Sequence, residues 1–184
     1  MEESIYSDSV RSRLVLAGLA ELKQHGATDF SLRRVAKEAG VSCAAPYRHF
    51  KDKDELIGSV IRYVLEGWTL LAGQITDIFS HDPGALLVEL AVAGLRFWIA
   101  NGNFRTVITA SSILAEGQKG ALLDFDLPIV RAAETYAEHT GAAANDLSFK
   151  VLSMLYGTII LVDGGFENAD IAADNLKRAV RSEL

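Results

Sequence analysis

Apolar residues recur along this chain at three- and four-residue intervals, and the polar breaks between the runs are short. Val10, Leu14, Ala17 and Leu22, with Val15, Leu16 and Leu19, give a broad apolar face to a first helix from about Ser9 to His25, ended by Gly26. Ser31 is suited to cap a second helix whose face is Leu32, Val35, Ala36 and Ala39, and Gly40 supplies the left-handed residue that ends it. Val41 can plug the angle that follows. Ser42 can then cap a third helix, Cys43 to Phe50. Pro46 falls in the fourth helical position there, where it removes only the bond to the capping residue. Asp52 and Glu55 have capping-box spacing, so a long fourth helix starts near Lys53. Leu56, Ile57, Val60, Ile61, Val64, Leu65, Trp68, Leu71, Ile75 and Phe79 keep one face of it apolar.

His81-Asp82-Pro83 stops that helix and opens the next, Pro83 to Asn101, with Asp82 as cap and proline in first place. After the turn Asn101-Gly102-Asn103, a helix is expected from Phe104 to Ala115, then a flexible loop at Gly117 to Gly120. Further helices are expected at about Asp126 to Thr140, Asn145 to Gly164 and Asn168 to Glu183. Period-two alternation never persists. The fold class is therefore all-α, with about nine helices. The first three form a small head with Phe30 beneath them, and the boundary is expected between residues 1–52 and 53–184, with the long fourth helix as the link.

Charge sharpens this division. The 184-residue chain carries a net −6, yet residues 11–62 hold ten Lys/Arg against six Asp/Glu, and residues 67–184 hold eight against fourteen. Positive charge thus gathers on two short helices joined by a glycine turn, the frame that places a helix in a DNA groove. The single cysteine excludes an internal disulfide and fits a reducing cytoplasm. Glu89 and Arg96 interrupt Leu86 to Ala100, and Asp163 follows Gly157 to Val162, so no stretch approaches the roughly 18 uncharged apolar residues of a membrane span. The acidic start, MEESIYSDS, is unlike a signal peptide. A cytoplasmic protein without a membrane partner is expected. His25, His81 and His139 have no metal-ligand spacing, no glycine-rich phosphate loop follows a strand, and no nucleophile has a base at a recognisable spacing. Neither metal, cofactor nor enzymatic activity is expected.

The pattern A-x-x-A-G-V-S-x-x-x-x-Y-x-H-F-x-x-K-x-x-L is carried by Ala36, Ala39, Gly40, Val41, Ser42, Tyr47, His49, Phe50, Lys53 and Leu56. It resembles the DNA-binding signature of the tetracycline-repressor (TetR) family of bacterial transcription regulators, over the first third of the chain. The tail from Tyr47 to Leu56 is the specific part. The resemblance implies that Lys53 anchors to backbone phosphate and that Tyr47 lies on the exposed side, where its hydroxyl meets a phosphate; packing against the first helix is the alternative. His49 can reach a phosphate as a neutral donor, and Arg48 can read a guanine edge or hold a phosphate. Arg33 adds charge near the N-terminus of the second helix, whereas Arg34 and Lys37 are expected to be solvated. Ser31, Ser42, Cys43 and Ala44 complete the candidate DNA surface. Cys43 reads as a small groove-facing residue rather than a redox switch. The run Cys43-Ala44-Ala45-Pro46 departs from common family members by its lack of polarity, which leaves much of any base reading to Arg48.

The larger half is rich in bulky groups with small residues interspersed, a composition able to enclose an apolar cavity. Trp98, Phe104, Ile108, Ser111, Phe125 and Tyr156 are its candidate lining. In the resembled family such a cavity binds a small effector, and binding shifts the linking helix. The helix from Asn145 is apolar nearly all round and must be covered on more than one side, by a symmetric partner or by the core of a monomer. The resemblance implies a homodimer through a four-helix bundle of the last two helices, with Leu147, Val151, Leu155, Thr158, Leu161 and Leu176 as candidate interface residues. The expected function is a homodimeric, ligand-responsive repressor on a pseudo-palindromic operator, although an activator would share these features. The rival is a helical ligand- or partner-binding module with a vestigial head, which the apolar start of the third helix favours.

Overall fold

The computed structural model describes residues 9–102 and 116–184, the second range with side chains from Asp124 onward. Among the described residues there are eight α-helices and no strand, as the all-α expectation required. They are α1 (Val10–His25), α2 (Leu32–Glu38), α3 (Pro46–His49), α4 (Lys53–Ile78), α5 (Pro83–Ala100), α6 (Glu116–Thr140), α7 (Ala144–Asp163) and α8 (Ala169–Ser182). The helix expected over Phe104 to Ala115 lies outside the described residues.

Local chemistry sets most helix ends. The Ser9 hydroxyl accepts from the Ser12 N–H at 3.1 Å, and Asp82 Oδ1 accepts from the Ala85 N–H at 2.9 Å with Pro83 in first place. Asp52 Oδ1 accepts from the Glu55 N–H at 2.9 Å, while the Glu55 carboxylate accepts from the Lys51 N–H at 2.6 Å, one residue before the usual capping-box donor. Gly40, at φ 66°, turns the chain out of α2, and the Val41 N–H then reaches back to the Ala36 carbonyl at 3.0 Å.

Two expectations fail. The loop placed at Gly117 to Gly120 is helical, because α6 begins at Glu116 and runs through Pro128. The helix expected from about Asp126 thus starts ten residues earlier, and Pro128 falls inside it. Here it stands in a helix interior, at a cost of about 3 kcal/mol that tertiary contacts offset. Second, α5 and α7 do reach the length and apolarity of a membrane span, since their few charges barely lower the average. Half of the α5 window is buried, which marks a core helix.

Among the described residues the chain divides into two compact units, 9–65 with 116–121 and 66–102 with 122–184, and α4 and α6 each contribute to both. In the first, Leu14, Val15, Leu22, Val35, Ala36, Phe50, Leu56 and Val60 form the core. A Cβ on Gly18 would lie 3.0 Å from Val60 Cγ2, so glycine permits the close crossing of α1 over the start of α4. In the second, α5 packs on α7 and α8, and Lys177 Nζ donates to Glu89 Oε1 at 2.6 Å. Trp68, Phe97, Trp98 and Phe125 make an aromatic cluster with ring centroids 4.7–6.1 Å apart.

Gly94 lies directly under this cluster. A Cβ there would sit 3.2 Å from Phe125 Cζ, and Phe125 is fully enclosed, so the ring has no free space to enter. Gly94→Ala should cost about 1–3 kcal/mol through overpacking, despite the better helix propensity of alanine. Thermal melting should show a fall in Tm of about 2–4 °C per kcal/mol. An unchanged Tm would mean the core is looser than this geometry states.

Candidate nucleic-acid interface

The head is held by a carboxylate that the sequence pattern hid. Glu21 lies on the apolar face of α1 with Ala17, Gly18 and Leu22, and is 6% exposed. Its Oε1 accepts from the Ser31 N–H at 3.0 Å and from Arg34 Nε at 2.7 Å. Arg34 also donates to the Asp29 carbonyl and meets Asp29 Oδ2 at 3.2 Å. Arg34 is therefore an organising side chain, not the solvated one expected. Burial alone would raise the Glu21 carboxyl, but hydrogen bonds from Arg34 and Ser31 and the guanidinium charge outweigh it and hold the group below the usual carboxylate range. The Ser31 hydroxyl caps α2, accepting from the Arg34 N–H at 3.4 Å. One network thus clamps the start of α2 to α1. An acid inside an otherwise apolar stripe was the available signal.

The third helix is shorter than expected. It begins at Pro46, not Cys43, and Ser42 makes no side-chain cap. Proline has no N–H to give the Ser42 carbonyl, so an α-helix cannot run through residues 42–46 undisturbed. Residues 42–45 form a tight turn instead, with the Ala45 N–H on the Ser42 carbonyl at 2.9 Å, and Pro46 opens α3 in the position proline favours.

This arrangement separates two faces. Ala45, Pro46 and Phe50 turn inward, while Ser42, Cys43, Ala44, Arg48 and His49 are exposed and Tyr47 is 67% exposed. Tyr47 does not pack into the head. The inward side of α3 is fixed by Arg11, whose guanidinium lies 4.8 Å from the Phe50 ring centroid and donates to Ser59 Oγ at 3.3 Å. Lys53 Nζ donates to the Ala27 carbonyl at 3.0 Å. That bond aims the ammonium and uses one of its three protons, leaving two for an anion. Arg33 is exposed at the start of α2. The arrangement offers hydroxyl, imidazole, guanidinium and ammonium donors on one small head with ten basic and six acidic side chains over residues 11–62.

In the second unit, Trp98 and Phe125 lie in the aromatic cluster and are enclosed. Tyr156 is half-buried and donates to Asp126 Oδ1 at 2.8 Å. Burial pushes both groups up, and the Asp126 charge raises Tyr156 further, so the phenol stays a neutral donor. Phe104, Ile108 and Ser111 lie outside the described residues.

Of the candidate interface residues, Leu147, Val151, Leu155 and Leu176 are buried in their own unit, Thr158 is half-buried and Leu161 is half-exposed. The spacing 147-151-155 is the inner stripe of α7, packed on α5 and α8. The apolar stripe that faces outward is a different one: Phe149 (71% exposed), Ser153, Gly157 and Ile160 (67% exposed), with Leu161 and the loop residue Phe166 (80% exposed) beside it.

A basic helix-turn-helix head sharing one continuous helix with an all-α second unit defines a DNA-binding transcriptional regulator. Residues 14–60 match the family described as "Bacterial regulatory proteins, tetR family". The Escherichia coli K12 protein named "Probable acrEF/envCD operon repressor" is 24% identical over 164 residues, covering 85% of this chain and 72% of its own length. A TetR transcription regulator from Haloarcula marismortui shares the fold at a TM-score of 0.77 and 18% identity, over 94% of this chain and 97% of that one. The regulator FadR from Bacillus subtilis, solved with stearoyl-CoA, does so at 0.73 and 12%, over 94% and 98%. The tetR-family match thus covers the helix-turn-helix head, and the shared fold covers nearly the whole chain.

Proposed function

We propose that this protein is a homodimeric repressor whose two heads bind successive major grooves of a pseudo-palindromic operator, and that a small, largely apolar effector releases it. The observation that carries the DNA reading is the outward face of Tyr47, Arg48 and His49 beside an aimed Lys53 on a net-positive head. Tyr47, His49, Lys53 and Arg33 serve phosphates, and Arg48 serves a base edge or a phosphate. Ser31 acts at one remove, as the cap of α2. Ser42, Cys43 and Ala44 give a turn with little bulk, which lets the backbone approach the groove.

Dimerisation is supported by the outward stripe of α7, where small Ser153 and Gly157 lie between Phe149 and Ile160 and permit close helix crossing. A second copy supplies the cover this face needs. The effector reading draws on the apolar composition of the second unit and on the half-buried Tyr156–Asp126 pair, a polar handle in apolar surroundings. The stearoyl-CoA held by the FadR neighbour supports an apolar ligand in this fold. A ligand that binds the DNA-incompetent state better shifts the population and frees the promoter.

Binding to the DNA upstream of its own gene, followed by fluorescence anisotropy over a salt series, tests the DNA reading. Affinity should fall steeply with salt, with a slope of about −0.9 per phosphate contacted. The double substitution Tyr47→Phe, Lys53→Ala should weaken binding and, by removing one Lys53 charge from each of two heads, flatten that slope by about 2. An unaltered slope and affinity would remove both residues from the interface. If neither this DNA nor any sequence selected from a random library is preferred over bulk DNA, the head is vestigial and the ligand-binding module remains.

A further inference from the structure

Trp68 is the fully buried side chain of α4 within the second unit, and α4 also forms part of the head's core through Leu56 and Val60. Its indole stacks on the Phe125 ring with centroids 4.7 Å apart. Its Nε1 donates to the Phe125 backbone carbonyl at 3.0 Å, a buried bond between residues 57 positions apart. Most helix carbonyls give their bonding capacity to the helix. This one lies three residues before Pro128, inside α6. Pro128 has no N–H for the Asp124 carbonyl, and its ring crowds that carbonyl, so the helical ladder is weakest at this turn. The bond from Trp68 therefore grips α6 where bending costs least. The Phe125 ring also touches Trp98 and approaches Gly94, so any bend at that turn is felt through the aromatic cluster.

We propose that Trp68 is the positioning residue that couples operator binding to the second unit, with its Nε1–Phe125 carbonyl bond joining α4 to the proline turn of α6. This rests on the DNA-binding reading above. Coupling is reciprocal: if a ligand in the second unit alters DNA affinity through this bond, DNA must alter the bond in turn. No effector is then needed to detect it.

The chain has two tryptophans, so protein labelled with 5-fluorotryptophan gives two 19F resonances, assigned with Trp68→Phe and Trp98→Phe. Saturation with the operator, confirmed by anisotropy of labelled DNA in the same sample, should move the Trp68 resonance by more than its linewidth and clearly further than that of Trp98, which meets only the Phe125 ring. Pro128→Ala restores the missing ladder bond and stiffens α6, so it should shrink the Trp68 shift while operator binding persists. A stationary Trp68 at operator saturation, equal movement of both resonances, or an undiminished shift in Pro128→Ala overturns the proposal. Absence of any anisotropy change overturns the DNA-binding reading and this proposal together.

Discussion

Gly157→Trp is expected to turn the proposed dimer into a monomer and to weaken operator binding about 10²- to 10⁴-fold, the usual loss when a bivalent contact becomes monovalent. The argument rests on where Gly157 stands. It lies on the outward stripe of α7, and a Cβ built on it meets no atom within 4 Å. A large side chain is therefore free to point away from its own chain, and glycine is a poor helix former that tryptophan improves on. The monomer should keep its helical circular dichroism. Two copies packed closely through this stripe cannot keep their contact, because an indole would stand where the helices cross. Light scattering after gel filtration reads the mass, and anisotropy reads the affinity. A variant that remains dimeric would place the interface elsewhere.

The second large effect concerns a residue expected to touch no DNA. Glu21→Ala removes the acceptor of the Ser31 N–H and the buried partner of Arg34. Arg34 is 43% exposed and can turn to water, so the larger loss is the unsatisfied backbone donor and the loosened start of α2. The cost should be about 1–3 kcal/mol, measured by urea unfolding. Operator affinity should fall as well, since α2 frames the turn that presents α3. The effect has a pH signature. The Glu21 carboxyl is held below its ordinary value of 4.5 in the folded chain, so the unfolded chain takes up its proton first as pH falls. The stability difference between wild type and Glu21→Ala is therefore complete above that value and closes as pH falls through the lower, folded-state one. A gap that stays constant through acid would show that the carboxylate charge contributes nothing.

Much of the head was legible from residue types alone. Ser31, Gly40 and the Asp52–Glu55 pair act locally, through bonds spanning three to five residues, and the structure shows the cap and turn roles assigned to them. Pro46 was legible only in part. Its missing N–H was evident, but a continued helix and a tight turn before a new start satisfy the same deficit. The head's basic charge was countable, whereas the Glu21–Arg34 bond joins residues 13 apart and needs α1 and α2 folded together.

In the second unit the periodicity identified helices but not their faces. Leu147, Val151 and Leu155 share a spacing of four with Phe149 and Ser153, and a helix apolar on all sides carries no label for its inner stripe. The helix expected from about Asp126 begins at Glu116 and tolerates Pro128 in its interior, and the aromatic contacts of Phe125 with Trp68 and Trp98 were invisible along the chain. What the chain determined by itself is helix content, caps, the basic head and its family signature, all set by interactions within a few residues or by counting charge. Which apolar stripe turns inward, which arginine is tied down and where a proline is tolerated were decided by packing, because each depends on partners tens of residues away.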